Sequence, residues 1–177
     1  GVRLVGLSAL PFNKAAAQLR QRLGFLHRSL GEPWPDTTDD GLIARLDAWF
    51  IPFQSGVTSF QDITPGSLHD GLMMLLPPGS QRELDRLVPT HFTAPTGQHH
   101  PIHYEGEEPV LQIRVQELFG LKTHPTIGGG KLPLLLELTS PAHRPIQTTR
   151  DLPGFWAGSW KDVRADMRGR YPKHPWP

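Results

Sequence analysis

Apolar residues recur along this chain with two different periods, and the change falls near its middle. Phe12, Ala16, Leu19, Leu23, Leu26 and Leu30 alternate in steps of four and three. That spacing lays them on one stripe of an α-helix. Asn13 after Pro11 suits the start of this helix, and Gly31 suits its end. A second helix is predicted from Thr38 to Phe50, with Thr37 and Asp40 at capping-box spacing and Leu42, Leu46, Trp49 and Phe50 as its buried side. Leu68–Leu76 reads as a short buried helix. Ser80 and Glu83 again have capping-box spacing, opening a helix through Val88.

From about Pro89 the period shortens. Pro95-Thr96-Gly97 signals a turn, and Ile102, His103 and Tyr104 read as a strand. Between Val110 and Gln116 apolar and polar residues alternate, the pattern of a half-buried strand. Leu132 to Leu138 is a nearly continuous apolar strand with Pro133 near its start, and Ile146–Thr148 forms a last short strand. Asp151 caps a closing helix on which Trp156, Trp160, Val163 and Met167 share a face, with Gly169 as its stop and an extended tail from Tyr171-Pro172. The expected fold is therefore α+β: an N-terminal helical subdomain, then a small twisted β-sheet or OB-like barrel with a C-terminal helix. The expected division is 1–88 helical and 89–177 β-rich with the closing helix and Pro-rich tail.

Composition narrows the classes of function. The chain has 177 residues, enough for one domain or two small subdomains, with 19 Pro, 18 Gly and no Cys. The missing cysteines remove disulfides and thiolate chemistry, and fit a cytoplasmic protein. No run of about 18 apolar residues exists to span a membrane. The first residue is Gly and not Met, which reads as a piece of something longer.

Net charge is only +1, but it is uneven. From Ala142 onward seven basic residues face three acidic ones, leaving the rest of the chain at −3. Phosphate contacts want flexible cations, and unstacked bases want aromatic faces. Arg114, Lys131, Arg144, Arg150, Arg168, Arg170 and Lys173 are accordingly the candidate nucleic-acid contacts. Tyr171, Pro172 and Trp176 are candidates for docking a protein partner. On the first helix, Arg20, Arg22 and Arg28 read as a solvated face.

Other chemistry finds little support. No GxxxxGK[ST] motif is present, and Gly128-Gly129-Gly130-Lys131 runs into a strand, where a phosphate-cradling loop would run into a helix. His99, His100 and His103 lack a helix to set ligand geometry and read as solvated, with no metal expected. Ser140, His143 and Asp151 are the letters of a hydrolase triad without a nucleophile elbow, and no catalytic residue is assigned.

The words of the second half are more specific. Val110-Leu111-Gln112-Ile113-Arg114-Val115-Gln116-Glu117-Leu118-Phe119-Gly120, Ser140-Pro141-Ala142-His143-Arg144-Pro145, Thr149-Arg150-Asp151-Leu152 with Phe155-Trp156, and Met167-Arg168-Gly169-Arg170-Tyr171-Pro172-Lys173-His174-Pro175-Trp176-Pro177 together cover about half the chain. This text resembles the C-terminal region of the bacterial DExH-box ATP-dependent RNA helicase family HrpB. Fainter likeness reaches back through Pro35-Asp36, Asp47-Ala48-Trp49 and Pro95-Thr96-Gly97. Lys131-Leu132-Pro133 departs from the Arg-Val-Pro that the family pattern suggests, and Lys lacks the bidentate fork of Arg. The resemblance implies a parent enzyme that hydrolyses ATP with Mg and acts as an RNA helicase. It implies further that the ATPase lobes lie upstream, and that this stretch needs no cofactor and is not catalytic alone. The partners it implies are the upstream lobes together with RNA or another nucleic acid, or with a docked protein in place of RNA.

Overall fold

The computed structural model describes residues 6–54 and 62–177. The chain forms two compact units, Gly1–Glu83 and Leu84–Pro177.

In the first unit a 3₁₀ turn at Leu7–Ala9 leads to α1, Lys14–Leu30. Its caps are the expected ones: the Asn13 side chain accepts from the Ala16 N–H at 2.8 Å, and Gly31 ends the helix with φ 70°. Only a residue without Cβ adopts that φ at little cost. The second helix is broken. Thr38, not Thr37, is the cap, accepting from the Gly41 N–H at 3.2 Å. Thr37 is buried and its hydroxyl donates to the Arg20 carbonyl at 2.8 Å. Helix α2, Asp39–Ala44, stops at Arg45 (φ −120°, ψ 27°), and α3, Leu46–Trp49, starts anew. The break turns Trp49 fully inward, where its indole N–H donates to the Leu42 carbonyl at 2.8 Å. A 3₁₀ turn follows at Ile51–Phe53, and α4, Pro65–Met74, packs Leu68 and Leu72 against the core. The basic side of α1 is not simply solvated. Arg22 is buried, and Arg20 holds the Thr37 carbonyl and the Asp39 carboxylate. Helix α5, Gln81–Leu87, ends in the second unit, and Ser80 before it donates to the Pro77 carbonyl at 2.6 Å.

Seven strands follow in the second unit. Two form a small hairpin: β1, His91–Thr93, with β2, His99–Pro101. Next comes β3, Val110–Arg114. A second hairpin pairs β4, Thr126–Ile127, with β5, Leu132–Pro133. Last are β6, Leu135–Thr139, and β7, Pro145–Thr149. The main sheet has three strands in the order β3-β6-β7, with β3 parallel to β6 and β6 antiparallel to β7. Its residues Leu111, Ile113, Leu136 and Leu138 point to the core. The sheets are separate and open, so the twisted-sheet form of the α+β expectation holds and no closed barrel exists among the described residues.

Three strand limits differ from the periodicity. The strand expected at Ile102–Tyr104 lies earlier as β2, and His103 makes only a single bridge to Val110. Strand β3 ends at Arg114, and Val115–Leu118 coils into a 3₁₀ turn that points Glu117 inward. The run Leu132–Leu138 is cut at Leu134, because its two halves pair with different strands. The closing helix is also two helices. Asp151 caps α6, Leu152–Ala157, accepting from the Gly154 N–H at 3.1 Å. The chain bends at Gly158 (φ −110°, ψ −94°), and α7, Trp160–Arg170, runs through Gly169 to its cap at Tyr171.

Candidate functional site

The strand register sorts the seven candidate cations. Arg114 at the end of β3 is opposite Thr139 at the end of β6, and Thr139 is opposite Pro145 at the start of β7. Arg144 precedes Pro145, so Arg114 and Arg144 occupy one end of the sheet, two strand spacings or about 10 Å apart. Helix α7 brings its last turn to the same end. Arg144 and Arg170 line one groove of about 360 Å³ with Ser140, Ile146, Val163, Met167 and Tyr171. Asp162 and Asp166 also line it, and Arg170 Nε donates to Asp166 Oδ1 at 3.1 Å. Arg168 reaches the other way and donates to the Trp176 carbonyl at 2.9 Å, an uncharged partner that leaves its charge in place. Lys173 is exposed on the tail beyond. Arg114, Arg144 and Arg170 thus lie at the adjoining ends of the sheet and α7 against two carboxylates, while Arg168 turns to the tail and Lys173 is exposed beyond.

Arg150 and Lys131 lie apart. Arg150 follows β7 at the opposite end of the sheet and is clamped by Glu108 through two hydrogen bonds, one at 3.0 Å. The guanidinium holds the Glu108 carboxyl below its usual range, and the carboxylate in turn raises Arg150. Lys131 is exposed after the three glycines that turn β4 into β5.

The tail does not extend into solvent. Trp176 is buried, its ring 6.0 Å from Phe119 in an edge-on pair and 6.3 Å from Trp160. Its indole N–H donates to the Tyr171 carbonyl at 2.9 Å. The Tyr171 hydroxyl is 3.4 Å from Ser140 Oγ. Of the three docking candidates Trp176 is therefore spent on the chain itself, Tyr171 is half-buried in the groove, and Pro172 is exposed.

The remaining motifs serve local structure. Ser140 Oγ accepts from the Arg144 N–H, His143 takes φ 63° in the turn, and Asp151 caps α6. The histidines turn to different neighbours: His99 to Thr93, His103 to Glu105, and His100 to the buried Glu117. Nε2 of His100 is 2.7 Å from Glu117 Oε2 without a formed hydrogen bond between them. This buried contact is a feature that periodicity could not reveal. Among the described residues no three metal-ligating side chains gather. The triglycine turn does not fit ATP and Mg: the Gly128 N–H is committed to the Leu87 carbonyl at 2.7 Å, and the turn joins two strands.

Comparison with known proteins places these features. The family described as ATP-dependent helicase C-terminal, HrpB_C, matches residues 49–177. The chain belongs to this family. A relative from Escherichia coli K12, named ATP-dependent RNA helicase HrpB, is 45% identical over 179 residues. That alignment covers 100% of this chain and 22% of the relative, so the chain spans less than a quarter of it. A crystal structure of the E. coli DExH-box NTPase HrpB superposes with a TM-score of 0.93 at 45% identity, over 100% of this chain and 22% of that one. A second, of the E. coli DEAH/RHA helicase HrpB, gives a TM-score of 0.80 at 42% identity over 99% and 22%. Among the described residues no helix is long and apolar enough to cross a membrane.

Proposed function

We propose that this chain works as the C-terminal accessory domain of a cytoplasmic ATP-dependent RNA helicase and contacts RNA phosphates through the end of α7. The ATP and Mg chemistry belongs to helicase lobes elsewhere in the same protein. The observation that supports the reading is that Arg114, Arg144 and Arg170 share one end of the second unit, set there by sheet register and the last turn of α7, with Arg168 and Lys173 following on the same stretch of chain. Such cations displace counterions from a strand and place it without reading its sequence. Arg150 takes no part, since Glu108 already fills its fork.

The test is a titration of the chain with a labelled single-stranded RNA at several salt concentrations. Affinity should fall steeply with salt. Arg144→Ala with Arg170→Ala should flatten the log–log slope by about 1.4, which is roughly 0.7 for each phosphate no longer neutralised. Binding indifferent to salt, or to this double variant, refutes the assignment. A second reading, a module that docks a protein or braces the motor lobes without touching RNA, draws on Asp162 and Asp166, which offset the two groove arginines and leave apolar Ile146, Val163 and Met167 between them. Ile146→Asp with Val163→Asp, at half-buried positions in the groove, would then abolish partner capture and leave RNA affinity unchanged.

A further inference from the structure

Beside the groove of Arg144 and Arg170 lies a second cavity of about 270 Å³, walled by Phe119, Trp156 and Trp160 with Lys122 and Pro177 at its edge. Its walls are mutually inclined rings. Trp156 and Trp160 stand at 89° with centroids 5.2 Å apart, and Phe119 is 5.4 Å from Trp160 and 6.0 Å from Trp156. Both indole N–H groups are already used inside the chain: Trp156 donates to the Leu121 carbonyl at 2.9 Å and Trp160 to the Pro177 carbonyl at 3.2 Å. What the three rings offer a ligand is therefore aromatic surface, chiefly that of the half-buried Phe119 and Trp156, and not indole N–H donors. Stacking of that kind accepts any base, because every base has a π face.

The charge at the rim selects the ligand further. Lys122 is exposed and is the one ionisable side chain in the lining, which includes no Asp or Glu. A cation beside aromatic faces complements a base with its phosphate. A proline-rich peptide would use the rings but not the ammonium.

Position completes the argument. Trp160 of this cavity and Val163 and Met167 of the arginine-bearing groove lie on one stripe of α7, at i, i+3 and i+7. At about 1.5 Å rise per residue the two sites are roughly 10 Å apart. About three nucleotides bridge that span, even at the ~3.4 Å step of a stacked strand.

We propose that the pocket between Phe119, Trp156 and Trp160 takes an unstacked base of single-stranded RNA, with Lys122 against the adjoining phosphate. The inference rests on the phosphate-contact reading given above and extends it from a charged surface to a base-holding site.

The experiment compares a uridine 12-mer, a ribose-phosphate strand of the same length lacking bases, and a fully paired duplex, with the chain's tryptophan fluorescence followed throughout. The 12-mer should bind about 5- to 150-fold more tightly than the base-free strand, the range a single stacking platform commands. It should quench tryptophan emission, and the other two should not. Trp156→Ala should erase the preference. Lys122→Glu, at an exposed position in an irregular segment, should weaken the 12-mer several-fold. Equal affinity for the two single strands with unchanged fluorescence overturns the pocket. If that binding still falls with salt and with Arg144→Ala plus Arg170→Ala, the phosphate reading survives. Failure of every strand to bind removes both. Quenching by a proline-rich peptide that the 12-mer cannot displace also overturns the proposal and makes the pocket a protein-docking site.

Discussion

Helix α4 passes so close to α3 that one hydrogen atom decides the packing. A Cβ on Gly71 would lie 1.9 Å from the Trp49 carbonyl oxygen and 3.0 Å from its carbon. Carbon and oxygen tolerate about 3.3 Å, so Gly71→Ala must drive the helix more than about 1 Å from the Trp49 backbone. Trp49 cannot retreat, because it is fully buried and pinned to the Leu42 carbonyl. Overpacking costs about 1–3 kcal/mol, and a backbone obstacle places this case at the upper end. Alanine recovers about 1 kcal/mol of helix propensity. The expected balance is a loss of roughly 2 kcal/mol. Gly169→Ala is the control: it is also helical, yet nothing lies within 4 Å of its added Cβ, so up to about 1 kcal/mol of stabilisation is expected. Urea unfolding followed by circular dichroism, with the slope in urea checked for constancy, measures both. A Gly71→Ala chain as stable as the parent at the same slope would refute the close-approach argument.

Further expectations concern caps, charge and the tail. Thr38→Ala removes the cap of α2 and should cost about 1 kcal/mol in the same urea assay. Asp36 is held below its usual carboxylate range, first by the Thr38 N–H and then by the Thr38 side chain. Its contribution is therefore complete above the unfolded value of 3.8 and lost as pH falls through the lower folded value, so Asp36→Ala should flatten the acid limb of the stability–pH curve below about pH 4. Trp176→Ala removes the buried ring that packs against both Phe119 and Trp160 and should cost about 3–5 kcal/mol in the second unit, read from its urea midpoint. Glu108→Gln frees Arg150 at the sheet end away from the groove and should leave the salt slope of RNA binding unchanged; a steeper slope would put Arg150 on the RNA path.

What could be read in advance was local. Asn13 and Gly31 bracket α1 because capping is a contact over a few residues, and Asp151 opens α6 for the same reason. The breaks at Arg45 and Gly158 were not legible. Each accompanies a tryptophan whose indole N–H reaches a carbonyl outside its own helix, Trp49 to Leu42 and Trp156 to Leu121. Likewise the alternation from Val110 runs on to Gln116, but the strand stops at Arg114 and Glu117 turns in to meet His100 and Thr96, residues from a hairpin further back in sequence. The site divides along the same line. Composition marked the basic residues, yet only the pairing of Arg114 with Thr139, the fold-back of Trp176 and the Glu108 clamp decide which of them share a surface.

The parallel pairing of β3 with β6 has a kinetic meaning. Val110 meets Leu135, so this ladder closes a loop of some 25 residues, whereas β6 and β7 join through a five-residue turn. Loop closure makes the near contact the faster one, so the β6–β7 hairpin should form early and β3 should dock on it late. Strand β6, covered on both sides, should then be the last to exchange its amide hydrogens, and conservative truncations in β3 should slow refolding less than they speed unfolding.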